Sequence, residues 1–263
     1  MERKHKLSAF IPVQNVEGSI EDCLASITWV DEIFIVDGFS TDGTVDICRK
    51  YPKVKIVQHA YENSGTQRSW GMPQVAHEWV FIIDSDERCT LELRGEIEKI
   101  LSQEDIPYDG FNVPIRTMFF GKLLRHRTYL GSGGKRLVRR EMYKNYVLKR
   151  VHAKLKIPRL TWIDNKDAYL IHIPIRDFQT QWKKLIRYST WYAEDMFDRG
   201  ERVRWYHFTL RPFFKFFQFY VVKGGFRDGL RGLALCMIAG VSIFMKYYKL
   251  YELRMKDDGH DHN

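Results

Sequence analysis

Trp79-Val80-Phe81-Ile82-Ile83-Asp84-Ser85-Asp86-Glu87 sets five apolar residues directly against two carboxylates spaced i, i+2. An apolar run of this length bounded by polar residues reads as a buried strand. Successive side chains on an extended strand alternate sides, so Asp84 and Asp86 are expected to point the same way. Like charges side by side at the end of a buried strand repel, and desolvating them is costly without compensation. A divalent cation carrying a diphosphate compensates, because Mg²⁺ takes one or two carboxylates together with substrate phosphates. The plainer alternative is an acidic, solvated strand-to-loop turn.

Upstream, strand and helix patterns alternate. Leu7 to Val13 reads as a strand containing Pro12, and Ser19 with Asp22 three residues on reads as a capping signal for a helix to about Trp29. Glu32 to Val36 is a second strand ending at Asp37, followed by the turn-rich Gly38-Phe39-Ser40-Thr41-Asp42-Gly43 and a short helix from Thr44 to Tyr51. Val54 to His59 and Trp79 to Ile83 are further strands, with a helix from Thr66 to Ala76 between them. Such alternation predicts an α/β fold of parallel βαβ units with helices covering the sheet. Ligands then sit at the carboxyl ends of strands, where Pro12, Asp37 and Asp84 all fall. After a helix from Leu91 to Leu101, strand-like pieces follow at Gly110 to Thr117, Arg136 to Val138, Val151 to Ile157 and Tyr169 to Ile173. Beyond Asp177 the pattern is helical: Phe178 to Asp198, Pro212 to Lys223 and Gly229 to Leu253.

The 263 residues suffice for one large domain with an appendage, and 44% hydrophobic with 29% charged residues is ordinary globular composition. A net charge of +9 favours an anionic partner. Nucleic acid is not expected, since no RNA or DNA motif accompanies the charge. Four scattered cysteines without C-x-x-C suit a reducing compartment, and the charged start Met1 to Lys6 has no apolar signal segment after it, so the cytoplasm is the expected location. In the C-terminal helices, Gly232 to Met245 is uncharged, but 14 residues fall short of the roughly 20 that a span needs. Arg227, Arg231 and Lys246-Tyr247-Tyr248-Lys249 flank it, and Arg211 to Tyr220 mixes cations with rings in the same way. Cations beside aromatic side chains suit a helix lying in the headgroup zone, so in-plane membrane contact is expected; packing on the domain or in a dimer is the alternative.

Asp37 closes a strand and opens a glycine-rich turn, where a carboxylate can accept hydrogen bonds from a base or ribose or simply cap the turn. Asn15 and Glu17 follow the first strand and would flank the same pocket or serve as helix-entry residues, and Arg68 would face a diphosphate or stand as a solvated surface charge. Neither Gly-x-Gly-x-x-Gly nor a P-loop is present, which argues against dinucleotide and ATPase chemistry.

Ile11-Pro12-Val13-Gln14-Asn15-Val16-Glu17, Val36-Asp37-Gly38-Phe39-Ser40-Thr41-Asp42-Gly43-Thr44 and Asp84-Ser85-Asp86-Glu87 together resemble glycosyltransferase family 2. Tyr108-Asp109-Gly110-Phe111, Lys135 to Arg140, Val151-His152 and Arg187-Tyr188-Ser189-Thr190 are similar to its bacterial lipopolysaccharide-core β-1,4-glucosyltransferase subgroup. The resemblance implies a GT-A fold, Rossmann-like and mostly parallel with flanking helices, over residues 1–176. A helical, membrane-associated extension over 177–255 and a disordered tail over 256–263 would follow. It further implies an NDP-sugar donor such as UDP-glucose, Mg²⁺ or Mn²⁺, inversion at the anomeric carbon, and a lipid-linked or phosphorylated saccharide acceptor at the cytoplasmic membrane surface. By position, Pro12, Asn15, Glu17 and Asp37 line the nucleotide site, while Asp84 and Asp86 hold the metal and diphosphate. Inversion requires a general base within reach of the acceptor hydroxyl. The subgroup reads Val-His-Glu where this chain has Val151-His152-Ala153, so the base stays open among Glu87, His152, Asp164 and Asp167. A glycosyltransferase for another envelope glycan, and a non-catalytic membrane-associated homologue that binds NDP-sugar, stay open with it. The basic residues Arg125 to Arg127, Lys135, Arg136, Arg139 and Arg140 would receive acceptor phosphates or form a solvated face.

Overall fold

In the computed structural model, which describes residues 3–124, 133–147, 154–174 and 178–260, the central strand is β1 (Leu7–Val13), buried along nearly its whole length. There follow α1 (Glu17–Ser26), β2 (Glu32–Asp37), α2 (Thr44–Arg49), β3 (Val54–Gln58), α3 (Ser64–Gly71), β4 (Trp79–Ile82), β5 (Glu87–Cys89) and α4 (Leu91–Leu101). The later strands are β6 (Gly110–Phe119), β7 (Lys122–Leu123), β8 (Gly133–Arg139), β9 (Tyr146–Val147), β10 (Lys154–Leu155), β11 (Leu160–Trp162) and β12 (Leu170–His172). Contacts divide the chain into two compact units, residues 1–116 with 132–173, and residues 117–131 with 174–263. Against the boundary expected at 176, the described residues 117–124 group with the second unit.

In the first unit the sheet order is β3-β2-β1-β4-β8-β6-β12-β5. β1 to β4 are parallel, as the alternating pattern predicts. Beyond β4 the sheet becomes mixed: β8 lies antiparallel between β4 and β6, and β12 runs antiparallel to β5. Alternation along β1 supplies both layers. Leu7, Ala9, Ile11 and Val13 pack against Ile20 and Leu24 of α1, Ile27 just after it, and Leu93, Ile97 and Leu101 of α4. Phe10 faces the other way, toward Met72 and Val75 after α3. α1 begins at Glu17 with Val16 at its N-cap and no side-chain cap. The expected Ser19–Asp22 cap does not form: Ser19 Oγ donates to the Val16 carbonyl, and Asp22 pairs with Arg88. α3 is capped instead by Asn63, whose side chain accepts from the backbone N–H of Gly65 and Thr66.

The second unit holds α5 (Phe178–Asp198), α6 (Leu210–Phe217), a π-helical turn at Gln218–Val222, and α7 (Gly229–His260). Ala193 and Met196 of α5 pack on Tyr247 and Leu250 of α7, and Phe219 packs on Cys236 and Ala239. A Cβ on Gly232 would lie 1.9 Å from the Gly225 carbonyl oxygen, so only glycine admits that close approach. The helix from Gly225 to Asp257 is long and apolar enough to cross a membrane, with a mean hydropathy of 1.5 over its most apolar window. It is therefore longer than the 14-residue uncharged stretch read from sequence. It also runs through residues 256–260, where a disordered tail is expected, because Glu252–Lys256 and Arg254–Asp257 form ion pairs at helical spacing.

Candidate active site

β4 ends at Ile82, so Asp84 and Asp86 lie in a turn rather than on a strand, and they take different partners. The turn is closed twice: Glu87 N donates to the Asp84 carbonyl at 2.9 Å, and Asp84 N donates to Glu87 Oε2 at 2.9 Å. Arg68 Nη2 donates to Asp84 Oδ1 at 2.5 Å, and Arg136 Nη2 donates to Asp84 Oδ2 at 3.0 Å. The same Arg136 nitrogen reaches Glu87 Oε1 at 2.5 Å. Asp86 instead faces His172, whose Nε2 lies 3.5 Å from Oδ1.

Each partner arrives from a separate element. Arg68 sits on α3, one turn before Gly71, where a Cβ would meet Phe10 and Val36 atoms at 2.6 Å. α3 therefore lies directly on β1 and β2, which brings Arg68 to the end of β4. Arg136 comes from β8, antiparallel beside β4 with Leu137 opposite Phe81. His172 comes from β12, in register with Glu87 of β5, and the Ile173 N–H donates to the Asp86 carbonyl at 2.8 Å.

The electrostatics follow from burial and pairing. Burial alone would raise the Asp84 carboxyl, but Arg68 and Arg136 outweigh it and hold the group well below the carboxylate range. Glu87, 1% exposed, is pushed up to about 7, by burial first, against the pull of Arg136, with the Asp84 charge adding to the rise. His172 is raised: burial lowers it, and the hydrogen bond and charge of Asp86 more than reverse that. Two buried nitrogens of the cluster, Arg68 Nε and Arg136 Nη1, have no hydrogen-bond partner among the described residues. Buried guanidinium N–H groups without an acceptor are rare, and they mark where an anionic oxygen fits.

At the carboxyl ends of β1 and β2, on the same sheet edge, Asp37 is fully buried. Its carboxylate accepts from Ser40 N at 3.1 and 3.2 Å and from Gln58 Nε2 at 3.1 Å, which builds the turn after β2. Asn15, at φ +51°, accepts from Thr41 N through Oδ1 at 2.8 Å, and Glu17 Oε2 accepts from Gly43 N at 2.8 Å. Asn15, Glu17 and Asp37 thus stitch the loops after β1 and β2 together, with Pro12 opposite Val36 just before them.

Other candidates lie elsewhere. Asp164 and Asp167 are exposed on the loop before β12, which is tied to α4 by Asn165 and Glu96. His152, Ala153 and Arg125 to Arg127 fall outside the described residues. The remaining basic residues of the expected phosphate-receiving face serve the fold. Arg136 is 9% exposed and ion-paired, Arg139 pairs with Glu78 and covers the Trp79 ring, Arg140 donates to the Val75 carbonyl, and Lys135 donates to the Leu155 carbonyl.

For a divalent cation, Asp84 already gives both oxygens to arginines, whereas Asp86 and His172 offer a carboxylate and an imidazole side by side. That donor pair would suit one divalent ion, which would bring positive charge to this end of the sheet. His172 as a partner of Asp86 is not legible from sequence spacing.

Comparison with known proteins agrees with this architecture. The chain is 28% identical over 253 residues to the lipopolysaccharide core biosynthesis glycosyltransferase LpsC of Rhizobium meliloti (strain 1021), covering 95% of this chain and 93% of LpsC. It is 24% identical over 259 residues to an uncharacterized glycosyltransferase of Rickettsia typhi, covering 95% of this chain and 88% of the relative. Its fold matches S. aureus TarS 1–349, solved in complex with UDP-GlcNAc, with a TM-score of 0.54 at 14% identity, covering 95% of this chain and 92% of TarS 1–349. The fold is GT-A, and residues 8–151 match the model for glycosyl transferase family 2. With over half of its length in that match, the chain belongs to glycosyl transferase family 2 and is a glycosyltransferase.

Proposed function

We propose that the protein is a metal-dependent, inverting hexosyltransferase. It moves glucose from UDP-glucose to a lipid-linked saccharide of the lipopolysaccharide-core type, at the cytoplasmic face of the membrane. The likeness to LpsC along nearly the whole chain supports the acceptor class, and the family resemblance supports the donor. The observation that carries the reading is the pair of unpartnered N–H groups on Arg68 and Arg136 beside Asp84. They would donate to the donor's diphosphate while their other nitrogens keep Asp84 ionised. The loops after β1 and β2, pinned by Asn15, Glu17 and Asp37, would hold the nucleoside. Asp86 and His172 would hold Mg²⁺ or Mn²⁺, which when bound supplies positive charge against the negative charge that grows on the leaving nucleotide.

Both Glu87 oxygens are engaged, one by Arg136 and one by Asp84 N. Its role is to orient the turn, and acceptance of the acceptor's proton falls to a group outside this ion-paired cluster. The apolar, cation-flanked α7 supports contact with the membrane surface.

The test is Asp86→Ala. At 22% side-chain exposure Asp86 is not a core residue, so the variant is expected to keep its circular dichroism and melting temperature. Transfer and UDP-glucose hydrolysis should both vanish. Undiminished turnover would overturn the assignment.

A further inference from the structure

Arg211, Lys215 and Lys246 line one cavity of about 190 Å³ together with Phe214, Ile243 and Tyr247, where α6 lies along α7. No carboxylate among the described residues pairs with any of the three cations. Arg211 donates to Tyr247 Oη, Lys246 Nζ stands 4.7 Å from the centre of the same ring, and Lys215 Nζ stands 4.2 Å from that of Phe219. Glu201, the acid whose field reaches Lys246, is ion-paired with Arg199 at 2.8 Å. Burial, then neighbouring cations, lower both lysines: Lys223 acts on Lys215, and Arg211 on Lys246. Like charges gathered in a partly desolvated cavity are unfavourable until an anion joins them.

The surroundings say which anion. Phe213, Phe214 and Phe217 of α6 are 67%, 64% and 43% exposed. Between Arg231 and Lys249 the exposed residues of α7 are Ala234, Met237, Val241, Phe244 and Tyr248. Their spacing of three and four places them on one stripe, about 21 Å long at 1.5 Å per residue. From Leu210 to Tyr248 the chain has six Lys or Arg and a single acid, Asp228, which is buried. A second copy of this chain would bring the same positive charge against it. A free phosphate would have no use for the exposed rings. An anionic bilayer satisfies both features, since headgroup phosphates meet cations while rings and aliphatic side chains enter the acyl boundary.

We propose that the cavity of Arg211, Lys215 and Lys246 is a receptor for the phosphoryl headgroup of an anionic membrane lipid. The site rests on the membrane-surface part of the function proposed above and adds a location and a ligand class to it. The test is sedimentation of the full chain with vesicles of phosphatidylcholine alone or mixed with phosphatidylglycerol. The wild type should bind the mixed vesicles at least about tenfold more tightly. Lys215→Gln with Lys246→Gln should weaken that binding roughly thirtyfold, at about 1 kcal/mol per lysine, without lowering the melting temperature, because like-charge repulsion is removed. Lys223→Gln with Arg227→Gln removes the same charge outside the cavity and should cost much less.

Equal losses in the two double variants would overturn the cavity in favour of diffuse attraction. Unchanged binding in the cavity variant would overturn it while leaving the membrane reading intact. Calorimetry with inorganic phosphate and glycerol 1-phosphate supplies the second arm. Cavity-dependent phosphate binding without any vesicle binding would overturn the lipid as ligand, and binding of neither would overturn the site itself.

Discussion

Arg136 shows how much depends on one buried side chain. Its guanidinium bridges Asp84 and Glu87 while only 9% exposed. Arg136→Met would strand the buried Glu87 carboxylate and leave the part-exposed Asp84 with Arg68 as its one arginine partner among the described residues. Breaking a buried pair from one side typically costs about 3–5 kcal/mol, mostly as the desolvation penalty of the stranded charge. Urea unfolding should therefore show a loss of that size together with loss of transfer; a loss under about 1 kcal/mol would mean that the charges are not buried as described. Asp109 makes a milder, pH-dependent contribution. Hydrogen bonds from Arg159, Nη2 to Oδ1 at 2.6 Å and Nε to Oδ2 at 3.2 Å, lower its carboxyl below the ordinary value. A carboxylate depressed on folding adds stability above its unfolded value, near about 4, and loses it as pH falls through the folded value. Asp109→Asn should accordingly be less stable than wild type at pH 7, and the gap should close below about pH 4. A gap that stays constant with pH would contradict the ion pair.

At the level of elements, α3 is fixed by contact rather than by propensity. Gly71 ends it against Phe10 and Val36, with a virtual Cβ 2.6 Å from both side chains. Gly71→Ala overpacks that seam, which typically costs about 1–3 kcal/mol, and the displaced helix should carry Arg68 away from Asp84. Thermal unfolding and transfer assays should fall together; an unchanged melting temperature would show that the seam has slack. The first four strands were legible because apolar runs and turn residues are local signals. The carboxylates Asp37 and Asp84 were legible because they end those runs. What lay beyond reach was pairing across the chain. Glu87 and His172 are register partners on β5 and β12, yet nothing in either neighbourhood announces the other. Arg136 sits in a stretch that reads as a phosphate-receiving or solvated basic face, and only the antiparallel placement of β8 beside β4 turns it inward. Asn63 caps α3 without any apolar run after it strong enough to mark the start.

For the whole molecule, ligand linkage should show the division of labour. The Arg68, Asp84, Asp86 and His172 groups all belong to the unit of residues 1–116 and 132–173. A donor that binds only the folded form stabilises by RT ln(1 + [L]/Kd), about 2.7 kcal/mol at a hundredfold excess over Kd. UDP-glucose with Mn²⁺ should therefore slow amide hydrogen exchange in β1, β2 and the turn at 84–87 by up to about a hundredfold, and leave α7 at its own rate, since local openings differ in free energy across a structure. Chelation with EDTA should abolish both protection and transfer, and Mn²⁺ should restore both. The loops proposed to hold the nucleoside are pinned by hydrogen bonds of the protein's own Asn15, Glu17 and Asp37. A residual protection of the loop at 38–43 by UDP alone is thus expected, smaller than that given by the donor with Mn²⁺. Equal protection with and without Mn²⁺ would remove Asp86 and His172 from the role of metal ligands. Protection confined to α6 and α7 would place donor binding in the other unit and overturn the site at Asp84.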